Sequence, residues 1–208
     1  HLCHYRQIYC GVMKKRVLLY FGSFNPVHRG HIALAEYAIS DGFADQVVLI
    51  VSPQNPHKEQ SNLAAEFSRY EMCQAACAAS LYPEQIQVSA VEFTLPRPSY
   101  TIDTLNFLTE NFGEQMEFSI LMGADNIENF HRWKSYEQII DNYPILVYPR
   151  TGYYLSRSQF AERVVFLENA PLFDISATEI RKAIAEGRDI SDMVIPEVEQ
   201  YIRNNKLW

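Results

Sequence analysis

Four short apolar runs constrain this chain most: RVLLYF (16–21), DQVVLIVSP (45–53), EFSILMG (117–123) and YPILVYPR (143–150). Each is of strand length, and each is so rich in Val, Ile and Leu that it suits a strand covered on both faces. The stretches between them carry helical patterns: HRGHIALAEYAIS (28–40), NLAAEFSRYEMCQAACAAS (62–80), SYTIDTLNFLTENFG (99–113) and SYEQIID (135–141). QIQVSAVEF (85–93) reads as a further strand, RVVFLE (163–168) as a sixth, and two helices follow from Ser176 and from Pro196. Strands alternating with helices assemble through right-handed crossovers into a parallel sheet. The expectation is an α/β fold, Rossmann-like and doubly wound on a mainly parallel sheet. Such sheets bind ligands beyond the carboxyl ends of their strands, so the residues just after each strand deserve the closest reading.

The bulk properties narrow the class. At 208 residues with a formal charge of −7, the chain lacks the basic surplus that phosphate-backbone binding needs, and no nucleic-acid partner is expected. No apolar run approaches the roughly 18 residues of a membrane helix, so no membrane partner is expected. Residues 1–12 show no periodic pattern and no signal-peptide core, and are expected to be a disordered leader or extension. Residues 13–208 are expected to form a single domain. Cys73 and Cys77 lie four apart on an Ala-rich helical stretch with no zinc-spaced partner, and read as buried, reduced thiols. That fits a reducing cytoplasm. Homo-oligomerisation is left open.

The stretch GSFNPVHRGH (22–31) follows the first strand directly. Asn25 suits an N-cap and Pro26 the first helical position. A helix starting there points its free amides and positive dipole end at the crest of the sheet, which makes an anion site. His28 and His31, three apart, project from one side of the first turn. Gly30 inside a helix costs about 1 kcal/mol relative to Ala, which suggests close approach of a ligand to the backbone there. Two imidazoles, amides and a dipole converging on one point suit a polyphosphate. The stretch has neither the Gly-Lys-Ser/Thr ending of a P-loop nor the G-x-G-x-x-G spacing of a redox dinucleotide site. Downstream, Ser176 and Glu179 in ISATEIR (175–181) form an S-x-x-E capping box, with Thr178 and Arg181 adding donors at a second helix start. Lys58, on a loop stiffened by Pro53 and Pro56, can reach phosphates as a point charge. Arg29 and Arg69 are further candidates for anion contact.

GSFNPVHRGH resembles the G-x-F-x-P-x-H-x-G-H signature of the HxGH nucleotidyltransferase superfamily, and ISATEIR resembles its I-S-S/A-T-x-I-R motif. Ala177 stands where many relatives carry Ser. PHK (56–58), RPSYTIDTL (97–105), GAD (123–125), Trp133 and the ending VEQYIRNNKLW (198–208) fall in the order found in bacterial nicotinate mononucleotide adenylyltransferases. The resemblance covers 15–208. It implies transfer of the adenylyl group of ATP to nicotinate mononucleotide, with ATP as co-substrate and Mg²⁺ carried on its phosphates. It implies His28, His31 and Arg181 as catalytic residues. It places Gly22, Ser23, Phe24, Lys58, Gly123, Asp125 and Ser176 with these around ATP. It places Asn25, Ser99, Thr101 and Trp133 at the pyridine nucleotide, Trp133 offering a flat face to a charged ring. No protein ligand to a metal is implied. The alternatives are adenylyl transfer to nicotinamide mononucleotide or pantetheine phosphate, and a non-catalytic nucleotide-binding module.

Overall fold

A computed structural model describes residues 13–53 and 62–208. Residues 1–12, expected as a leader, and Lys58 lie outside the described residues. The strands are β1 (Lys15–Gly22), β2 (Gln46–Val51), β3 (Ile86–Ser89), β4 (Met116–Gly123), β5 (Ile145–Tyr148) and β6 (Val165–Phe166). The helices are α1 (Arg29–Ser40), α2 (Glu66–Ala78), α3 (Thr101–Phe112), α4 (Ala124–Ile127), α5 (Tyr136–Asn142), α6 (Ala177–Ala185) and α7 (Pro196–Asn205). The six strands form one sheet in the order β3-β2-β1-β4-β5-β6, and every pairing is parallel. The α/β, doubly wound expectation holds.

The strand period of two sorts β1 between two cores. Leu18 and Tyr20 join a cluster containing Ile32, Ala35, Met72, Ile180 and Val198, which α1, α2, α6 and α7 supply. Val17 and Leu19 join Ile102, Leu105, Ile127 and Ile139 on the opposite face, supplied by α3, α4 and α5. With both faces covered, β1 has no polar alternation to display, which accounts for the unbroken VLLY run. Cys73 and Cys77 are free and buried on α2, and burial pushes the Cys77 thiol up to about 12. No described helix is long and apolar enough to cross a membrane.

The direction of winding reverses between β1 and β4. That switch point leaves a crevice at the carboxyl ends of the strands, and the sequence motifs are delivered there.

Candidate active site

A cleft of about 610 Å³ opens at the switch point. Its walls come from the end of β1 (Tyr20–Gly22), the loop Ser23–Asn25, His28 and His31 of α1, Asp125 after β4, Tyr148 and Arg150 after β5, and Ser176–Thr178 with Arg181 of α6. The fold thus brings the two sequence motifs, about 150 residues apart, onto one cavity.

Helix α1 starts later than the sequence suggests. Its N-cap is His28, not Asn25. The Gly30 amide donates to His28 Nδ1 at 3.1 Å, and the His28 amide donates to His31 Nδ1 at 3.0 Å. Two imidazoles thereby do the work of a capping box. The amides expected to be free are engaged: Arg29 N–H meets the Met193 carbonyl at 2.9 Å, and His31 N–H meets the His28 carbonyl at 3.1 Å. What this helix end offers the cleft is therefore ring nitrogen, not backbone. An Nδ1 that accepts a backbone proton fixes a neutral ring in the Nε2–H tautomer. The capping scheme thus makes Nε2 the donor of both rings.

The rings are also held sterically. His28 stacks on His31 with centroids 3.6 Å apart, and His31 meets the edges of Phe24 at 4.9 Å and Tyr20 at 5.7 Å. Burial, helped by the Arg150 charge, pushes the His28 imidazole down to about 4, so it is neutral near pH 7. Gly30 is explained by this packing and not by an approaching ligand. A Cβ there would sit 3.0 Å from His28 Cε1, 3.1 Å from its Nδ1 and 3.3 Å from Phe173 Cβ. Phe24 has a left-handed backbone, φ 46°. Its ring lies so close to Gly22 that a Cβ there would meet it at 3.1 Å.

Asn25 does different work from capping. Its Oδ1 accepts from the Ala64 amide at 3.0 Å, its Nδ2 donates to the Asn62 carbonyl at 2.9 Å, and its own carbonyl accepts from Arg181 Nη1 at 2.8 Å. It joins three walls of the cleft. Ser176 caps α6 as expected, accepting from the Glu179 amide at 3.1 Å. The reciprocal half of the box is absent, because the Glu179 carboxylate pairs with Arg188 at 2.9 Å. The amides of Ala177 and Thr178, in the first turn of α6, have no intrahelical acceptor, and both residues line the cleft. Arg181 is braced by Thr178 Oγ1 at 3.3 Å.

Neither Arg29 nor Arg69 lines the cleft. Arg29 donates to the Ser191 carbonyl. Arg69 is fully buried and spends its guanidinium on the carbonyls of Ser23, Ser52, Pro53 and Ala64. Gly123 lies behind the cleft wall, where a Cβ would collide with Asp125 Oδ1 at 2.3 Å. Asp125 does not cap the helix after β4, whose N-cap is Gly123. Its carboxylate faces Arg150 at 3.7 Å.

Ser99, Thr101 and Trp133 are not among the cleft-lining residues. They belong to a separate group around the start of α3. Ser99 and Thr101 flank the start of α3, where the N-cap Tyr100 makes no side-chain cap bond. Lys134, next to Trp133, bridges to Asp103 at 3.1 Å and lies 4.7 Å over the Tyr100 ring. Trp133 itself packs edge-on to Phe130 at 5.4 Å and leans on the second core.

The match to a family model decides the relationship: the cytidylyltransferase-like model covers residues 19–183. The chain belongs to that family. Within it, a Cytophaga hutchinsonii protein named "probable nicotinate-nucleotide adenylyltransferase" is 39% identical over 93% of this chain and 98% of the relative. A Bacteroides fragilis protein of the same name is 42% identical over 91% of this chain and 92% of the relative. Among solved structures, Plasmodium falciparum nicotinic acid mononucleotide adenylyltransferase complexed with NaAD shares the fold at a TM-score of 0.74, with 18% identity over 93% of this chain and 97% of that one.

Sequence reasoning missed several lining residues of this cytidylyltransferase-like cleft. Arg150, Tyr148 and Tyr20 all line it. Tyr20 and Tyr148 meet edge-on, with ring centroids 6.1 Å apart. The available signal was position: Tyr148 and Arg150 end a strand at the carboxyl edge of a parallel sheet.

Proposed function

We propose that this chain transfers the adenylyl group of ATP to nicotinate mononucleotide, as its relatives' names describe for them. The observation that carries the reading is the pair of imidazoles whose Nδ1 atoms are tied to backbone amides, on the same cleft as Ser176 and Arg181. The 5′-phosphate oxygen of the mononucleotide attacks the α-phosphorus of ATP in line. One P–O bond forms, the bond to the β-phosphate oxygen breaks, and pyrophosphate leaves. The nucleophile is already an anion, so no base is needed. The task is to position the reactants and to stabilise charge on the non-bridging oxygens and the leaving group.

In this reading His28 and His31 donate through Nε2–H to the α-phosphate and the bridging oxygen. A neutral His28 suits that role, because its donor is present without any protonation step. Arg181, Arg150, Ser176 and the Ala177 and Thr178 amides hold the β- and γ-phosphates, with Lys58 joining them. Gly22, Ser23 and Phe24 lie along the triphosphate, and Asp125, with Gly123 behind it, along the nucleoside. Mg²⁺ carried on the ATP phosphates would spread their charge, with no side chain of this chain assigned to hold it. Asn25, Ser99, Thr101 and Trp133 serve the pyridine nucleotide, Asn25 by holding the wall between the two substrates. The chain works in the cytoplasm as a single domain.

Purified protein incubated with ATP, Mg²⁺ and nicotinate mononucleotide should release pyrophosphate and form the deamidated dinucleotide. Parallel reactions with nicotinamide mononucleotide and with pantetheine phosphate should be slower. Equal or faster turnover of either would reassign the acceptor, and no turnover of any would leave a binding module.

A further inference from the structure

One hydrogen-bond path enters the cleft wall from a residue far outside it. Trp208 lies beyond α7 and packs with Leu207 against the first core. Its indole Nε1–H donates to the Asn62 carbonyl at 2.8 Å. The same carbonyl accepts from Asn25 Nδ2 at 2.9 Å, so both of its lone pairs are used. Asn62 and Leu63 line the cleft. Two residues on, Ala64 is held at its amide by Asn25 and at its carbonyl by Arg69 Nε, 2.9 Å away. Asn25 in turn receives Arg181 Nη1 on its carbonyl. The segment Asn62–Ala64 directly follows the stretch that carries Lys58 in the sequence.

We propose that Trp208 is a positioning residue for the ATP side of the cleft. Its indole N–H fixes Asn62, and through the carbonyl shared with Asn25 it sets the cleft wall and the seat of Arg181. This rests on the reading that the cleft holds the triphosphate of ATP. The residue touches no substrate and acts only through the Asn62 carbonyl. A purely structural role would show itself in stability alone, whereas a positioning role shows itself in ATP affinity as well.

The test is Trp208→Phe, which keeps an aromatic ring on the core and removes the donor. Tyr201→Phe is the control: it removes the Tyr201–Glu71 hydrogen bond between α7 and α2 without touching Asn62. The dissociation constant of a non-hydrolysable ATP analogue, measured by calorimetry, and KM for ATP should both rise about 3- to 10-fold in Trp208→Phe, the factor one ordinary hydrogen bond carries. Tyr201→Phe should leave both ATP constants at the wild-type value. Unchanged ATP constants in Trp208→Phe, or the same rise in Tyr201→Phe, would overturn the proposal. The binding measurement needs no turnover, so it stands even if the acceptor is not nicotinate mononucleotide. Should Trp208→Phe not fold, the wild-type protein decides the matter. Its Trp208 indole N–H resonance should move when the analogue fills the cleft, and a resonance that stays in place counts against the path.

Discussion

Replacing Gly30 by Ala sets two local effects against each other. Gly to Ala inside a helix is worth about 1 kcal/mol of stabilisation. The new Cβ would meet His28 Cε1 at 3.0 Å and Nδ1 at 3.1 Å, with Phe173 Cβ behind it at 3.3 Å. The His28 ring cannot yield freely, because it stacks on His31 at 3.6 Å. Crowding of this kind costs about 1–3 kcal/mol, so the net loss of stability is at most about 2 kcal/mol. For a chain of this size that lowers Tm by no more than about 8 °C. Activity should respond far more. Displacing the ring breaks the Gly30 amide bond to Nδ1, which sets both tautomer and aim. A misplacement of about 1 Å at a reacting group costs on the order of 10²-fold. Thermal melts and steady-state kinetics on Gly30→Ala should show a modest Tm change beside a kcat/KM reduced about 100-fold. Wild-type kcat/KM in a folded Gly30→Ala protein would refute the argument that this glycine exists to seat His28.

Other expectations follow from the same geometry. His31→Ala and Arg181→Ala should each lower kcat about 10²- to 10³-fold, the usual loss for one aimed donor, with circular dichroism unchanged. The His28 ring should titrate near 4 by NMR, against its ordinary 6.5. Its folded value is depressed, so its contribution to stability is complete above 6.5 and is lost as pH falls toward 4. The full loss is about 3 kcal/mol, readable in urea melts across that window. Arg150→Met should move the His28 titration upward, because the Arg150 charge is the second cause of its depression after burial, and should raise KM for ATP.

Much of this was legible in the sequence because it is local. Short apolar runs alternating with helical stretches specify the parallel sheet, and Ser176 and Glu179 mark the start of α6 by spacing alone. The histidine pair was legible as a pair, since three residues along a helix place two rings on one face. Their chemistry was not. A reading by residue preference gives the cap to Asn25, while the fold spends Asn25 on Asn62 and Ala64 and lets His28 cap instead. The amides of α1 were expected to be free, and the acceptor that takes Arg29 N–H, Met193, lies 164 positions away. Arg69 illustrates the same limit. As a letter it is a surface cation, and only the packed structure shows it buried among four carbonyls. Arg150 reaches the cleft through sheet order, which no local pattern encodes.

The account stands on two rings whose Nδ1 atoms accept backbone protons and whose outer nitrogens donate. A long-range proton–nitrogen NMR spectrum of histidine-labelled protein reads this directly, before and after addition of Mg²⁺ and a non-hydrolysable ATP analogue. His28 and His31 should both show protonated Nε2 and unprotonated Nδ1 at pH 7, and both Nε2 signals should shift as the analogue binds. Protonation at Nδ1, or Nε2 signals that ignore a bound analogue, would contradict it.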